Sequence, residues 1–392
     1  MKKALILLTL VVLGLSLVTL TGLGKGKIGI VLDVGGRGDL SFNDMGFKGT
    51  DQAAKDFGLQ MVEVQSATAA DYLPNIRNLA RSGDFDLIIC VGFLLGDALN
   101  QAAQEFPDQK FAIIDSVVDQ PNVMSIVFRE NEMSALVGAL GGVIAAYYGY
   151  DYVGTVLGIE IPVLYHFEAG YRFGIDWGLN KYKEHEGLAA KPNVGLLYTY
   201  TGTFDDVAKG KAATEAQLAQ GAVAVYNVAG PLGIGDLEAI TEKHKAMGTE
   251  SGPPFYFGVD SDQDWMGNAK YTLASGMKRV DIACYDAVQS VVDGTFKGGV
   301  HSLGLKEGGV GISGIKELLD FMDFGIKAGA IKASDTYQII ANWASNRAAI
   351  PYWIWEAIDE LKAGILDGSI QVPTADTRDQ MLAVRAQYPL ER

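Results

Sequence analysis

Four side chains in "VLDVGGRGDLSFNDMGFKG" could do chemistry together: Asp33 at the end of an apolar run, then Phe42, Asn43 and Asp44 beyond a glycine-rich turn. A strand, a glycine turn and a helix start normally favour phosphate, because free backbone N–H groups and the helix dipole attract anions. The residues of this turn argue otherwise. Ser41 and Phe42 stand where a dinucleotide fingerprint needs its last glycine, and no Gly-Lys-Ser/Thr ending follows. A ring, an amide and a carboxylate suit a flat, neutral molecule that forms hydrogen bonds. The Arg37-Gly38-Asp39 tripeptide in the same turn is common by chance and carries little weight as an adhesion signal.

Further candidates fall in comparable places. Ligands of open parallel sheets bind outside the carboxyl ends of the strands, and in two-lobed proteins between the lobes. Asp115 and Asp260 end the apolar runs "KFAIID" and "PFYFGVD" as Asp33 ends "KIGIVLD". A carboxylate there is unfavourable unless paired or hydrogen-bonded. Each alone reads equally well as a helix cap or turn brace. Three at equivalent strand ends point to a shared role, and carboxylates are good acceptors for paired sugar hydroxyls. Phe204 in "TGTF", like Phe42, is a loop ring that either covers its own core or meets a ligand. Lys278 in "ASGMKRVD" is either solvated or faced by an acid.

The elements that would position these residues alternate apolar, strand-length runs with amphipathic, helix-length stretches, the pattern of a parallel sheet covered by helices on both faces. One series runs "KIGIVLDV", "LQMVEVQ", "DLIICVG", "KFAIID" and "NVMSIVF"; a second runs "YVGTVLG", "NVGLLYTY", "VAVYNVAG" and "PFYFGVD". The predicted fold is therefore α/β, two doubly wound parallel-sheet lobes joined by a hinge. Residues 27–131 with 261–297 are assigned to the N-terminal lobe, and 132–260 with 298–392 to the C-terminal lobe. Beyond Asp260 a strand-like "YTLASG", a helix "DIACYDAVQSVVDG" and a "GGVGISG" turn are expected, then a helix and a short strand in "IPYWIWEAIDELKAGILDGSIQVP". Tyr352, Trp353 and Trp355 read as helix-to-core packing rather than a ligand platform.

At 392 residues the chain is too long for one ordinary core, and 48% hydrophobic residues exclude a disordered chain. A formal charge of −15 disfavours nucleic acid and anionic lipid as partners. Residues 1–24, "MKKALILLTLVVLGLSLVTLTGLG", read as an export signal or a retained N-terminal anchor, so the protein is expected outside the cytoplasmic membrane. Cys90 and Cys284 read as buried thiols, although export would permit a disulfide. No metal is expected, because His166, His185, His244 and His301 lack metal-ligand spacing. No cofactor and no catalysis are expected either.

Taken together, "SFNDMGFKG", "DLIICVGF", "FPDQKFAIIDS", "NVMSIVFRENEMSALVGAL", "FEAGYRFG", "YTGTFDD", "GVDSDQ" and "DGSIQVP" give a chain that resembles the basic membrane protein family of exported substrate-binding proteins for ABC importers. The resemblance implies a type I periplasmic binding protein fold, a monomer, a small-molecule ligand of the purine nucleoside class and an ABC permease as membrane partner. It implies that Phe42 stacks on one face of a purine and Phe204 closes the other, while Asn43 with Asp33 reads the base edge. Asp115, Asp260 and Lys278 would bind the ribose hydroxyls, and Gly230 would let backbone approach the sugar. Most relatives carry a lipid-modified cysteine after the signal, and "LTGLG" has none. Three other readings use the same residues: a binder of riboflavin or another ring-plus-polyol molecule, a sensory receptor, and a nucleoside hydrolase with Asp33 or Asp115 activating water.

Overall fold

Val- and Ile-rich runs become strands because they can be covered on both faces, and helices supply the covers. The computed structural model describes residues 26–391. Its first series is β1 (Lys27–Leu32), α1 (Phe42–Asp56), β2 (Gln60–Gln65), α2 (Tyr72–Ser82), β3 (Leu87–Val91), α3 (Gly96–Glu105), β4 (Phe111–Ile114) and β5 (Val123–Phe128). The second is α4 (Glu130–Tyr148), β6 (Tyr152–Leu157), α5 (Pro162–Glu186), β7 (Gly195–Tyr200), α6 (Val207–Ala219), β8 (Ala222–Val228), α7 (Leu232–Met247), β9 (Phe255–Asp260) and β10 (Thr272–Lys278). The chain continues through α8 (Val280–Val292), β11 (Gly299–Leu303), β12 (Val310–Ile312), α9 (Ile315–Lys327), α10 (Thr336–Ala348), α11 (Tyr352–Asp367) and α12 (Arg378–Gln387). The expected signal or anchor lies outside the described residues, among which no helix is long and apolar enough to cross a membrane.

Two six-stranded sheets result, ordered β11-β5-β4-β3-β1-β2 and β12-β10-β9-β8-β6-β7. The first is parallel throughout, and the second is parallel except for β12, which runs antiparallel to β10. Position by position, β1 corresponds to β6, β3 to β8 and β4 to β9. The alternation read from sequence thus becomes two α/β layers of like topology.

Strand pairing corrects the sequence-based lobe assignment. β10, placed by sequence in the N-terminal lobe, pairs with β9 in the second sheet, and β11, placed in the C-terminal lobe, pairs with β5 in the first. Helix α8 remains with the first layer, where Gly49 of α1 lies so close to Asp281 that a Cβ would stand 1.9 Å from its carbonyl oxygen. The chain therefore crosses between the sheets three times, near Arg129, near Arg279 and through 304–309. Backbone bonds tie these crossings together, Arg129 N–H to Leu303 O and Arg279 N–H to Gly309 O, both 2.8 Å.

Two smaller expectations also change. "GGVGISG" contains β12 and is more than a turn. "GSIQVP" forms no strand, because Asn131 Nδ2 takes the carbonyls of Val372 (3.0 Å) and Pro373 (3.2 Å) and Pro373 has no N–H to give a ladder. Trp353 and Trp355 pack against the core, whereas Tyr352 is exposed. Helix α10 clasps the loop between β9 and β10, with Asn346 Nδ2 on Ala269 O and Trp343 Nε1 on Asp264 Oδ2. Cys90 and Cys284 are buried and free.

Candidate functional site

The turn after β1 is built around two carboxylates that face backbone. Asp39 accepts the N–H groups of Ser41 (3.0 Å), Asn43 (2.7 Å) and Asp44 (3.0 Å), so the positive end of α1 is already filled by a side chain. Burial, with the charge of Asp44 added, lifts the Asp39 carboxyl to about 7 despite those bonds. Asp44 in turn binds Arg37 Nε at 2.6 Å and the N–H of Leu40 at 2.9 Å. The Arg-Gly-Asp tripeptide is thus consumed inside its own turn. Asp33 Oδ1 accepts from Gly35 N–H and from Asn43 Nδ2, each at 2.9 Å, and burial raises its carboxyl above the ordinary value.

At the ends of β4 and β9, the corresponding strands of the two sheets, Asp115 and Asp260 both adopt the left-handed backbone, with φ of 69° and 61°. Such a conformation is uncommon outside glycine, asparagine and aspartate and turns a side chain off the strand direction. Both carboxylates meet the ammonium of Lys278, which closes β10: Nζ is 2.6 Å from Asp115 Oδ2, 3.5 Å from Glu130 Oε1 and 4.0 Å from Asp260 Oδ1. The rings of Phe42, Phe167 and Phe128 surround it, with centroids at 4.8, 5.5 and 5.6 Å. Burial alone would lower the Lys278 pKa, but Asp115, Asp260 and Glu130 together raise it above the ordinary lysine value. Three acids around one ammonium leave surplus negative charge. Burial, opposed by Lys278 and reinforced by Glu130, lifts Asp115 to about 7.

Glu130 continues the chain of contacts outward. Its Oε2 lies 3.0 Å from His166 Nδ1, and His166 Nε2 lies 2.9 Å from Asp376 Oδ1 in the segment before α12. The imidazole is raised to about 9: burial works against the charged form, but the two carboxylates outweigh it.

Asp33, Asp39, Asp115, Asp260 and Lys278 open on a cleft between the two sheets. Asp33, Phe42, Asn43, Asp115, Phe204, Gly230, Asp260 and Lys278, all picked out from sequence, line it. Phe204 lies against Gly158, where a Cβ would come within 2.1 Å of the ring, and Gly230 has φ of 55° with open space where a Cβ would stand. Sequence reasoning missed Asp39, Phe93 and Phe167 in the wall and Glu130 behind it. Phe93 follows the end of β3 by two residues, in the kind of place where ligands of open parallel sheets bind. Phe167 and Glu130 lie within helical patterns, where nothing local separates a ligand-facing side chain from a packed one.

A family model for ABC transporter substrate-binding proteins of the PnrA-like type matches residues 27–333. The chain belongs to this family. Among PnrA-like relatives, a lipoprotein of Pyrococcus horikoshii is 38% identical over 357 residues, 90% of this chain and 85% of that protein. The ABC transporter nucleoside-binding protein BmpA of Lactococcus lactis is 29% identical over 365 residues, 89% of each chain. A solved ABC transporter solute-binding protein from Aeropyrum pernix superposes with a TM-score of 0.84 at 35% identity, covering 93% of this chain and 97% of that one. The family is one of binding proteins, with an ABC permease as partner.

Proposed function

We propose that the protein is the extracytoplasmic receptor of an ABC importer and that it carries a purine nucleoside in the cavity between its lobes. The carrying observation is the convergence of Phe42, which opens α1, and the loop residue Phe204 with Asp33, Asn43, Asp115, Asp260 and Lys278 on that cavity. Phe42 and Phe204 sandwich the base, Asn43 and Asp33 meet its edge, and Asp115, Asp260 and Lys278 bind the ribose hydroxyls. The name of the Lactococcus relative supports the ligand class.

Charge supports a neutral nucleoside over a nucleotide. Asp39 already occupies the helix N-terminus that a phosphate would use, and the wall sets Asp33, Asp39, Asp115 and Asp260 against Lys278. A 5′-monophosphate would therefore find no free helix N-terminus to cradle it. The Pyrococcus relative is named a lipoprotein, whereas both cysteines of this sequence are buried. Attachment to the membrane is assigned here to the apolar N-terminal stretch.

Calorimetric titration of the ligand-stripped protein with guanosine, inosine, adenosine, cytidine, riboflavin, ribose and guanosine 5′-monophosphate, followed by chromatography of each mixture, tests this reading. Saturable, one-to-one binding of purine nucleosides with no product is expected. Binding of riboflavin or ribose alone would move the ligand class, and free base in the mixture would replace the receptor with a hydrolase.

A further inference from the structure

Lys278 is held by contacts that continue well behind the cleft. Its ammonium lies 2.6 Å from Asp115 Oδ2 but 3.5 Å from Glu130 Oε1, although both partners are buried carboxylates. What restrains Glu130 is its other oxygen: Oε2 is 3.0 Å from His166 Nδ1, and His166 Nε2 reaches Asp376 Oδ1 at 2.9 Å. An imidazole that donates from both nitrogens is the cation, whereas the neutral ring has one N–H and serves one carboxylate. Burial opposes the charge on His166, but Glu130 and Asp376 outweigh it and raise the imidazole to about 9.

The far partner is held from both sides. Asn131 Nδ2 takes the carbonyls of Val372 and Pro373, Ala375 is buried with Tyr165 and Ala169 of α5, and Thr377 and Gln380 form a capping box at the start of α12. Backbone fixed before and after Asp376 thus sets a largely exposed carboxylate against a largely buried imidazole. The other charged groups around the space that His166 lines are Asp97 and Asp115 of the first layer and Arg129 and Glu132, which pair with each other at 2.6 Å.

We infer that His166 and Asp376, neither of them in the cleft wall, are positioning residues of the solute site: the doubly paired imidazole holds Glu130 off Lys278 and so keeps the ammonium on Asp115. The inference rests on the nucleoside reading above, which assigns the Lys278 end of the cleft to the sugar, and it adds a support that reaches the C-terminal segment. With His166 charged, the Glu130 carboxylate is balanced from outside. With His166 neutral, that buried charge turns to Lys278 and draws the ammonium away from Asp115 and the solute. The contribution to affinity is therefore full below the His166 pKa and lost as pH rises through it. Asp39 and Asp115, lifted to about 7, are ionised by pH 8, and Lys278 is raised above the ordinary lysine value, so the interval from pH 8 to pH 10 isolates His166.

The test is calorimetric titration of the full-length, ligand-stripped protein and of its His166→Gln and Asp376→Asn variants with adenosine and guanosine at pH 8 and pH 10. Affinities are read as the ratio of variant to unaltered protein at each pH, so that ionisation of the guanine ring drops out. His166→Gln, uncharged at any pH, is expected to bind about two- to thirtyfold more weakly at pH 8 and as well as the unaltered protein at pH 10. Asp376→Asn, a surface change, is expected to cost about two- to fivefold at pH 8. Ratios of one at pH 8, or ratios equal at the two pH values, would overturn the inference and leave the nucleoside receptor standing. Silence of the unaltered protein toward both nucleosides would remove both. Should His166→Gln fail to fold, Asp376→Asn and the unaltered protein, whose adenosine affinity should fall between pH 8 and pH 10, decide the matter.

Discussion

Phe42 has the clearest single-residue consequence. Its ring lies in the cavity wall and beside Lys278, so Phe42→Ala is expected to weaken nucleoside binding by roughly 1–3 kcal/mol, about ten- to a hundredfold. Calorimetry checks this, and unchanged affinity would remove the ring from the site. Lys278→Met tests a different claim. It would strand Asp115, Glu130 and Asp260 in a buried cluster, and breaking a buried pair in this way costs about 3–5 kcal/mol. Urea unfolding at neutral pH should show the loss, and acidification, which neutralises the acids, should reduce it. Much of this site was legible. A carboxylate ending an apolar strand, or a lysine just past one, is unfavourable in isolation, so each such residue advertised a missing partner. Glu130 gave no such signal, because a glutamate at a helix start is already satisfied by the dipole and only tertiary packing brings it to Lys278.

At the scale of elements, α4 and α5 hold the outer end of the polar chain. The two helices approach closely through glycines: a Cβ on Gly170 would stand 2.1 Å from Asn131 O, and one on Gly174 the same distance from Ala135 O. This places His166 of α5 between Glu130 of α4 and Asp376. Because the His166 pKa is raised from 6.5 to about 9, its stabilisation is complete below about pH 6.5 and is lost as pH rises through about 9. His166→Ala is therefore expected to lower the urea midpoint at pH 6, by at most about 3 kcal/mol of stability, and to have little effect at pH 10. A difference independent of pH would contradict the ion-pair role. Most strands from β1 to β9 were readable because their apolar runs are continuous, and the edge strand β2 because its QMVEVQ alternates. Strand β12 was hidden by its three-residue length among glycines, and "GSIQVP" misled because its alternation is real although the Asn131 side-chain amide, not a neighbouring strand, donates to its carbonyls.

For the whole molecule, the sequence showed two alternating series but not which sheet each late strand joins. That choice depends on the three crossings, and no local pattern distinguishes β10 from β11. The crossings make a hinge, and the lobes already touch beside the cavity through Ser41 Oγ on Asp260 Oδ2 (2.8 Å) and Ser261 Oγ on Leu40 O (2.7 Å). A ligand bridging the lobes should favour the closed form, so scattering should record a smaller radius of gyration with guanosine than without. At a hundredfold excess over Kd, stability should rise by about 2.7 kcal/mol, seen as a higher Tm. The most direct test is a crystal structure of the protein grown with guanosine. The expected result is the base held between Phe42 and Phe204, its edge toward Asn43 and Asp33, and the ribose on Asp115, Asp260 and Lys278. A nucleoside bound elsewhere, or a cavity that excludes it at saturating concentration, would contradict the nucleoside-receptor assignment.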